Sequence, residues 1–198
     1  MAFGQSRDMS VSVGLSILPT SYIGTDQLSG GSAHDIQVKS GFLFAVRFDQ
    51  SQGDHFGHEF HYMNSRMPIQ YNYENNAQLG GAINQGGYNF LGYFNGRDSS
   101  TRVFATAGVQ LTNFLRSSDS ALGCVSADCT VASQPPATGG NIKFGVNYGA
   151  GVKTKLTSRY SLRFDIRQYV TGRPFNLPSS PGGVLLRTEV SVGFGIGF

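Results

Sequence analysis

The chain of 198 residues has no tryptophan, only two cysteines and seven prolines, and just 14% of it is charged. A soluble domain carries about 25% charged residues, so the low value already sets this sequence apart. Disorder does not account for it, because 15 Phe and 9 Tyr are too many apolar rings for a solvated chain. The longest apolar stretch, around Phe42 to Val46, is far short of the roughly 20 residues of a spanning helix, which excludes a helical membrane protein. Glycine is abundant at 27 residues, yet it has no period of three, which excludes collagen. A net charge of +3 is too small to argue for nucleic acid. Met1 to Ser6 has neither a basic start nor an apolar core, so no signal peptide is expected there.

What the sequence does have is strand period. Val11, Val13, Leu15 and Ile17 alternate with Ser10, Ser12, Gly14 and Ser16. Ile36, Val38, Ser40, Phe42, Phe44, Val46 and Phe48 alternate with Gln37, Lys39, Gly41, Leu43, Ala45 and Arg47. Phe56, His58, Phe60 and Tyr62 oppose Gly57, Glu59, His61 and Met63. A fourth run near 87–95 carries rings at both parities, so its faces stay open. The remaining runs follow Val103 to Leu111, Ile142 to Val152, Tyr160 to Ile166 and Leu186 to Phe198. These are eight candidate strands of roughly ten residues, the length with which a tilted strand crosses a bilayer. The connections alternate: long at about 19–35, 64–86, 113–140 and 172–184, short at about 49–55, 96–100 and 157–159. That asymmetry suits an outer-membrane barrel with long loops outside and tight turns in the periplasm. The expected organisation is an N-terminal periplasmic tail over 1–8 and a barrel over 9–198.

Charge placement decides which face is inside. The apolar face of the eight runs carries no Lys, Arg, Asp or Glu. Lys39, Arg47, Arg102, Lys143, Lys153, Lys155, Arg163, Arg167, Arg187, Glu59, Asp165 and Glu189 all share the other face with many Gly and Ser. An Arg or Lys facing lipid at midplane costs about 2–4 kcal/mol, so lipid contact explains the charge-free face. The interior of an eight-stranded barrel is just wide enough for side chains, and small residues leave room for long ones. A hairpin about Thr157, Ser158 and Arg159 puts Gly151 beside Asp165, Gly149 beside Arg167 and Lys153 diagonal to Asp165. The reading is an all-β, eight-stranded antiparallel up-and-down transmembrane β-barrel with a lumen charge network of Lys39, Arg47, Glu59, Arg102, Lys153, Arg163, Asp165, Arg167, Arg187 and Glu189. Asp165, Glu59 and Glu189 are each expected to be ringed by Arg or Lys, because buried charges need partners. Positive lumen charges outnumber negative ones, so ordered water or anions are expected to fill the remainder.

The segment NYGAGVKTKLTSRYSLRFDIRQYVTG, Asn147 to Gly172, and the ending VSVGFGIGF resemble the small bacterial outer-membrane β-barrel family, which includes the barrel of outer-membrane protein A and the X-type barrels. The resemblance implies that the terminal aromatic strand is the signal read by the barrel assembly machinery, here Phe194, Ile196 and Phe198. It implies outer-membrane lipid as surroundings, periplasmic termini and extracellular long loops. A monomer is expected, with no cofactor and no nucleic-acid partner.

Other candidate chemistry is weaker. Cys124 and Cys129 in the third long loop form a disulfide in an oxidising compartment or stay free thiols; without a nearby His they make no zinc site. Strand period separates His58 from His55, Glu59 and His61, so a shared metal sphere fails. Lipid A deacylases and acyltransferases with a Ser–His pair occur among eight-stranded barrels, but no outward His accompanies Ser65. Gly149 to Thr154 and the glycines at 193, 195 and 197 lack the following helix that nucleotide-binding loops require. A non-enzymatic surface or envelope role leads, with a narrow channel for ions or small solutes as the alternative.

Overall fold

The computed structural model describes residues 6–19, 22–26, 34–71, 78–116, 141–175 and 182–198. Eight long strands close into an antiparallel barrel: β1 Ser6–Ile17, β4 Gly41–Gln52, β5 Phe56–Arg66, β8 Gly81–Tyr93, β9 Thr101–Arg116, β10 Ile142–Lys155, β11 Tyr160–Gly172 and β12 Val184–Gly197. Four short strands, β2 Tyr22–Asp26, β3 His34–Val38, β6 Ile69–Tyr71 and β7 Gln78–Leu79, form a second sheet in the order β2-β3-β6-β7. Around the barrel the order is β1, β12, β11, β10, β9, β8, β5 and β4, so each long strand pairs with its neighbour in the chain and β1 closes against β12.

Alternation sends one face of each long strand outward and the other inward. Phe42, Phe44, Phe60, Phe90, Leu111, Phe144, Phe164, Ile166, Val190 and Phe194 lie exposed on the outside. So continuous an apolar exterior is far larger than the patches of soluble monomers. The register settles the fourth run: Phe90 faces out, while Asn89, Leu91 and Tyr93 are buried inside.

The short turns are fastened locally. Gly53 takes φ of 65° between β4 and β5, a left-handed conformation that glycine adopts without a Cβ penalty. Asn95 clasps the β8–β9 turn by accepting from the Val103 amide and donating to the Thr101 carbonyl. Thr157 Oγ1 accepts from the amides of Arg159 and Tyr160 in the β10–β11 turn.

Two expectations from alternation change here. The strand expected to run unbroken from Ile36 to Phe48 is two strands, with Lys39 and Ser40 between them. A Cβ at Gly41 would lie 2.2 Å from the Arg66 carbonyl oxygen, so only glycine permits this close passage. Ile36 and Val38 are therefore not on the exterior. They are buried with Leu18, Ile23, Met67, Ile69, Ile83, Phe114, Phe175 and Leu185, an apolar roof between the second sheet and the long-loop end of the barrel. The alternation also starts earlier than Met9: β1 begins at Ser6.

Candidate functional site

Inward residues of the barrel build a charged layer between two apolar ones. At the short-turn end lie Leu91, Tyr93 and Phe104, with the Arg102 guanidinium 3.5 Å from the Tyr93 ring centroid. At the long-loop end lies the roof. Between them Arg47, Arg163 and Arg167 are among the largest fully buried side chains of the described residues.

β11 supplies the centre. Arg163, Asp165 and Arg167 alternate inward along it, and Arg163 Nε donates to Asp165 Oδ2 at 2.7 Å while Arg167 NH2 donates to Asp165 Oδ1 at 2.7 Å. Both arginines also reach Glu59 on β5, through Arg163 NH2 to Oε2 and Arg167 NH1 to Oε1, each at 2.5 Å. In the ring order β5 is diametrically opposite β11, so these ion pairs cross the full width of the lumen. A second crossing lies nearer the short turns: Lys153 Nζ on β10 donates to Asp49 Oδ2 on the opposite strand β4 at 2.7 Å and to Asp8 of β1 at 2.8 Å. Arg163 NH1 joins the two tiers by donating to Asp49 Oδ2 at 2.7 Å.

Towards the long-loop end, Arg47 pairs with Glu189 and donates to Ser12 Oγ. Glu189 also accepts from the Tyr169 and Ser191 hydroxyls. Arg187 stands beside this group, its NH2 on Gln85 Oε1 and its guanidinium 4.5 Å from the Tyr169 ring centroid. His61 Nδ1 lies 3.2 Å from Asn89 Nδ2, and Asn89 in turn donates to Glu59.

Room for these chains comes from glycines. Gly151 is registered opposite Asp165 and Gly149 opposite Arg167; a Cβ at Gly149 would lie 2.9 Å from Arg167 Cγ. Buried charges are tolerable only when paired and hydrogen-bonded, and a network with partners for nearly every carboxylate rigidifies the interior.

The structure brings Arg47, Glu59, Lys153, Arg163, Asp165, Arg167, Arg187 and Glu189 into the lumen. Lys39 is a correction. It sits on the break between β3 and β4, and its Nζ donates to Gln37 Oε1, because the in-phase run it belonged to ends at Val38. Lys153 differs from expectation too: it serves Asp8 and Asp49, since Arg163 and Arg167 already occupy Asp165. Glu189 has one arginine partner and two hydroxyls in place of a ring of cations. Arg102 is buried at the short-turn end, donating to the Asp54 carbonyl. Phe194, Ile196 and Phe198 lie exposed along the outward face of the last strand. Cys124 and Cys129 fall outside the described residues. Sequence reasoning missed Asp8, Asp49 and Tyr169. Each continues an inward parity already identified, two residues beyond Ser10, Arg47 and Arg167.

The histidines are parted. His55 Nδ1 lies 3.0 Å from the Tyr93 carbonyl oxygen, His58 shares a hydrogen bond with the Tyr88 hydroxyl on the outside, and His61 is inside. Ser65 is buried and donates to the Arg66 carbonyl.

The fold is that of the small eight-stranded bacterial outer-membrane barrels. The chain superposes on outer membrane protein OprG from Pseudomonas aeruginosa with a TM-score of 0.63 at 16% identity, covering 96% of this chain and 95% of that one. Neisserial surface protein A gives 0.57 at 14% identity, with 98% and 99% covered, and E. coli outer membrane protein W gives 0.52 at 12% identity, with 100% of each covered. The sequence matches no family model and no curated protein. At such identities the shared property is the fold.

Proposed function

We propose that the chain is an integral outer-membrane barrel with a closed lumen and a non-enzymatic surface or envelope role. The observation that carries this reading is the pair of bridges from Arg163 and Arg167 to Glu59 across the barrel diameter. An eight-stranded barrel has little interior beyond its side chains, and here fully buried guanidinium and carboxylate groups occupy it. The apolar exterior supports placement in lipid. The register of Asp8 against Gly197 brings the start of β1 and the end of β12 together at the short-turn end, which supports periplasmic termini and an extracellular second sheet. The hydrogen bonds of His58 and Ser65 lie on opposite faces of β5 and join them to no common nucleophile–base pair, which supports a role without catalysis. The barrel would act by position, anchored by its belt and presenting its loops.

Reconstitution into planar lipid bilayers tests this. The expected record shows no steady open level. Sustained single-channel conductance would overturn the closed reading in favour of a narrow channel. Cross-linking in cells from Tyr73, in the second long loop, would identify any partner at the surface.

A further inference from the structure

We propose that the lumen holds a small monovalent anion of the halide class against Arg187. This concerns the barrel interior and holds whichever role the loops play. Arg187 is 4% exposed, and among the described residues no carboxylate oxygen lies within 4.0 Å of its guanidinium. The other cations of the central layer differ. Arg47 has Glu189, Arg163 has Asp49, Glu59 and Asp165, Arg167 has Glu59 and Asp165, and Lys153 has Asp8 and Asp49. Arg102 also lacks a carboxylate, but it sits at the short-turn end on a backbone carbonyl.

A guanidinium offers five N–H donors. Arg187 places NH2 on the neutral amide oxygen of Gln85 and NH1 3.9 Å from the Met63 thioether, a weak acceptor. Glu189 shares its face of β12 yet is already occupied: Oε1 receives Arg47 and Ser191, and Oε2 receives Tyr169. The charge of Arg187 is thus met by dipoles and one ring face, in surroundings where an isolated ion is costly.

The charge balance along the axis sharpens the point. Near the short turns the four carboxylates Asp8, Asp49, Glu59 and Asp165 face four cations, Lys153, Arg163 and Arg167 through ion pairs and Arg102 beside them. Arg47 is matched by Glu189. Arg187 is the cation of the layer left without a carboxylate, at the long-loop side and 4% exposed. The wall beside Gln85 carries Thr112, whose hydroxyl donates to Gln85. Among the described residues Arg187 is the one buried cation of the central layer without a carboxylate, so the charge to be balanced is a single positive one and the matching ligand is a monovalent anion.

The test uses the whole chain, refolded from urea into detergent micelles with bromide as the sole halide, then crystallised for anomalous scattering at the bromine edge. The expected result is a bromide peak within hydrogen-bonding reach of the Arg187 guanidinium, lost in Arg187→Gln. Should Arg187→Gln fail to refold, Arg187→Lys serves in its place, and the peak is expected to move with the shorter cation. No peak in the unsubstituted protein overturns the proposal, as does a peak unmoved in either variant, or a carboxylate of the chain found in that position.

Discussion

The ring edge of Phe104 on β9 fills the space where a side chain at Gly151 on β10 would begin: a Cβ there would lie 2.4 Å from Phe104 Cζ. Gly151 is registered against Phe104 on one side and Asp165 on the other. Both neighbours are held in place: the Phe104 ring packs under the Arg163 guanidinium at 4.9 Å, and Asp165 is gripped by Arg163 and Arg167. Gly151→Ala is expected to destabilise the barrel by about 1–3 kcal/mol, the usual cost of overpacking. Gly92→Ala is the control, because a Cβ there meets nothing within 4 Å; its effect should stay within about 0.5 kcal/mol. Urea unfolding followed by tyrosine emission measures both, the chain having no tryptophan. Equal losses at the two positions would remove the packing argument.

Arg163 touches Asp49, Glu59 and Asp165 while fully buried. Arg163→Ala leaves those carboxylates short of a partner, and breaking a buried pair from one side costs about 3–5 kcal/mol. Asp165→Asn placed in the Arg163→Ala background should be less than additive, with a coupling of about 0.5–3 kcal/mol. Unfolding of the two single variants and the double variant gives the coupling directly. Strict additivity would mean that the two side chains do not act as a unit.

The parity of the strands was legible because lipid-facing and lumen-facing demands differ at every second residue. Arg163, Asp165 and Arg167 could be placed inside from their strand alone, and the hairpin fold over Thr157 placed Gly149 and Gly151 beside them. Partners across the barrel were not legible. Which carboxylate Lys153 meets depends on the ring order and the stagger of strands far apart in sequence, and alternation carries neither. The break at Lys39 was hidden for a different reason. Ile36 and Val38 stand in phase with Phe42 and Phe44, so a strand ending under a roof and a strand continuing along the wall read alike. Only the glycine at 41, where backbone passes close to Arg66, marks the change. The second sheet was likewise invisible, because its strands are too short to show a period.

Ile166 points outward near the middle of β11, between Ala150 on β10 and Val190 on β12. If acyl chains surround this belt, Ile166→Arg should cost about 2–4 kcal/mol on folding into lipid vesicles. Phe56→Arg lies on the same exterior at the first residue of β5, where the cost should fall to about 0–1 kcal/mol. The depth dependence is the informative quantity. A flat response across the two positions would argue against a bilayer around the belt.

Phe198 separates assembly from stability. Its ring is 72% exposed and 6.2 Å from that of Phe48, while its amide donates to the Arg7 carbonyl at 3.0 Å. Alanine keeps that amide, so closure of β12 against β1 survives the substitution. Phe198→Ala should therefore shift the unfolding free energy of the purified, refolded barrel by no more than about 0.5 kcal/mol. If the terminal aromatic is read by an assembly machinery, the amount of folded protein recovered from the outer membrane of expressing cells should drop several-fold. Heat-dependent gel mobility distinguishes folded from unfolded barrel in both settings. Unchanged recovery from cells would strip Phe198 of the assembly role, and equal losses in cells and in the refolded protein would assign its effect to strand closure.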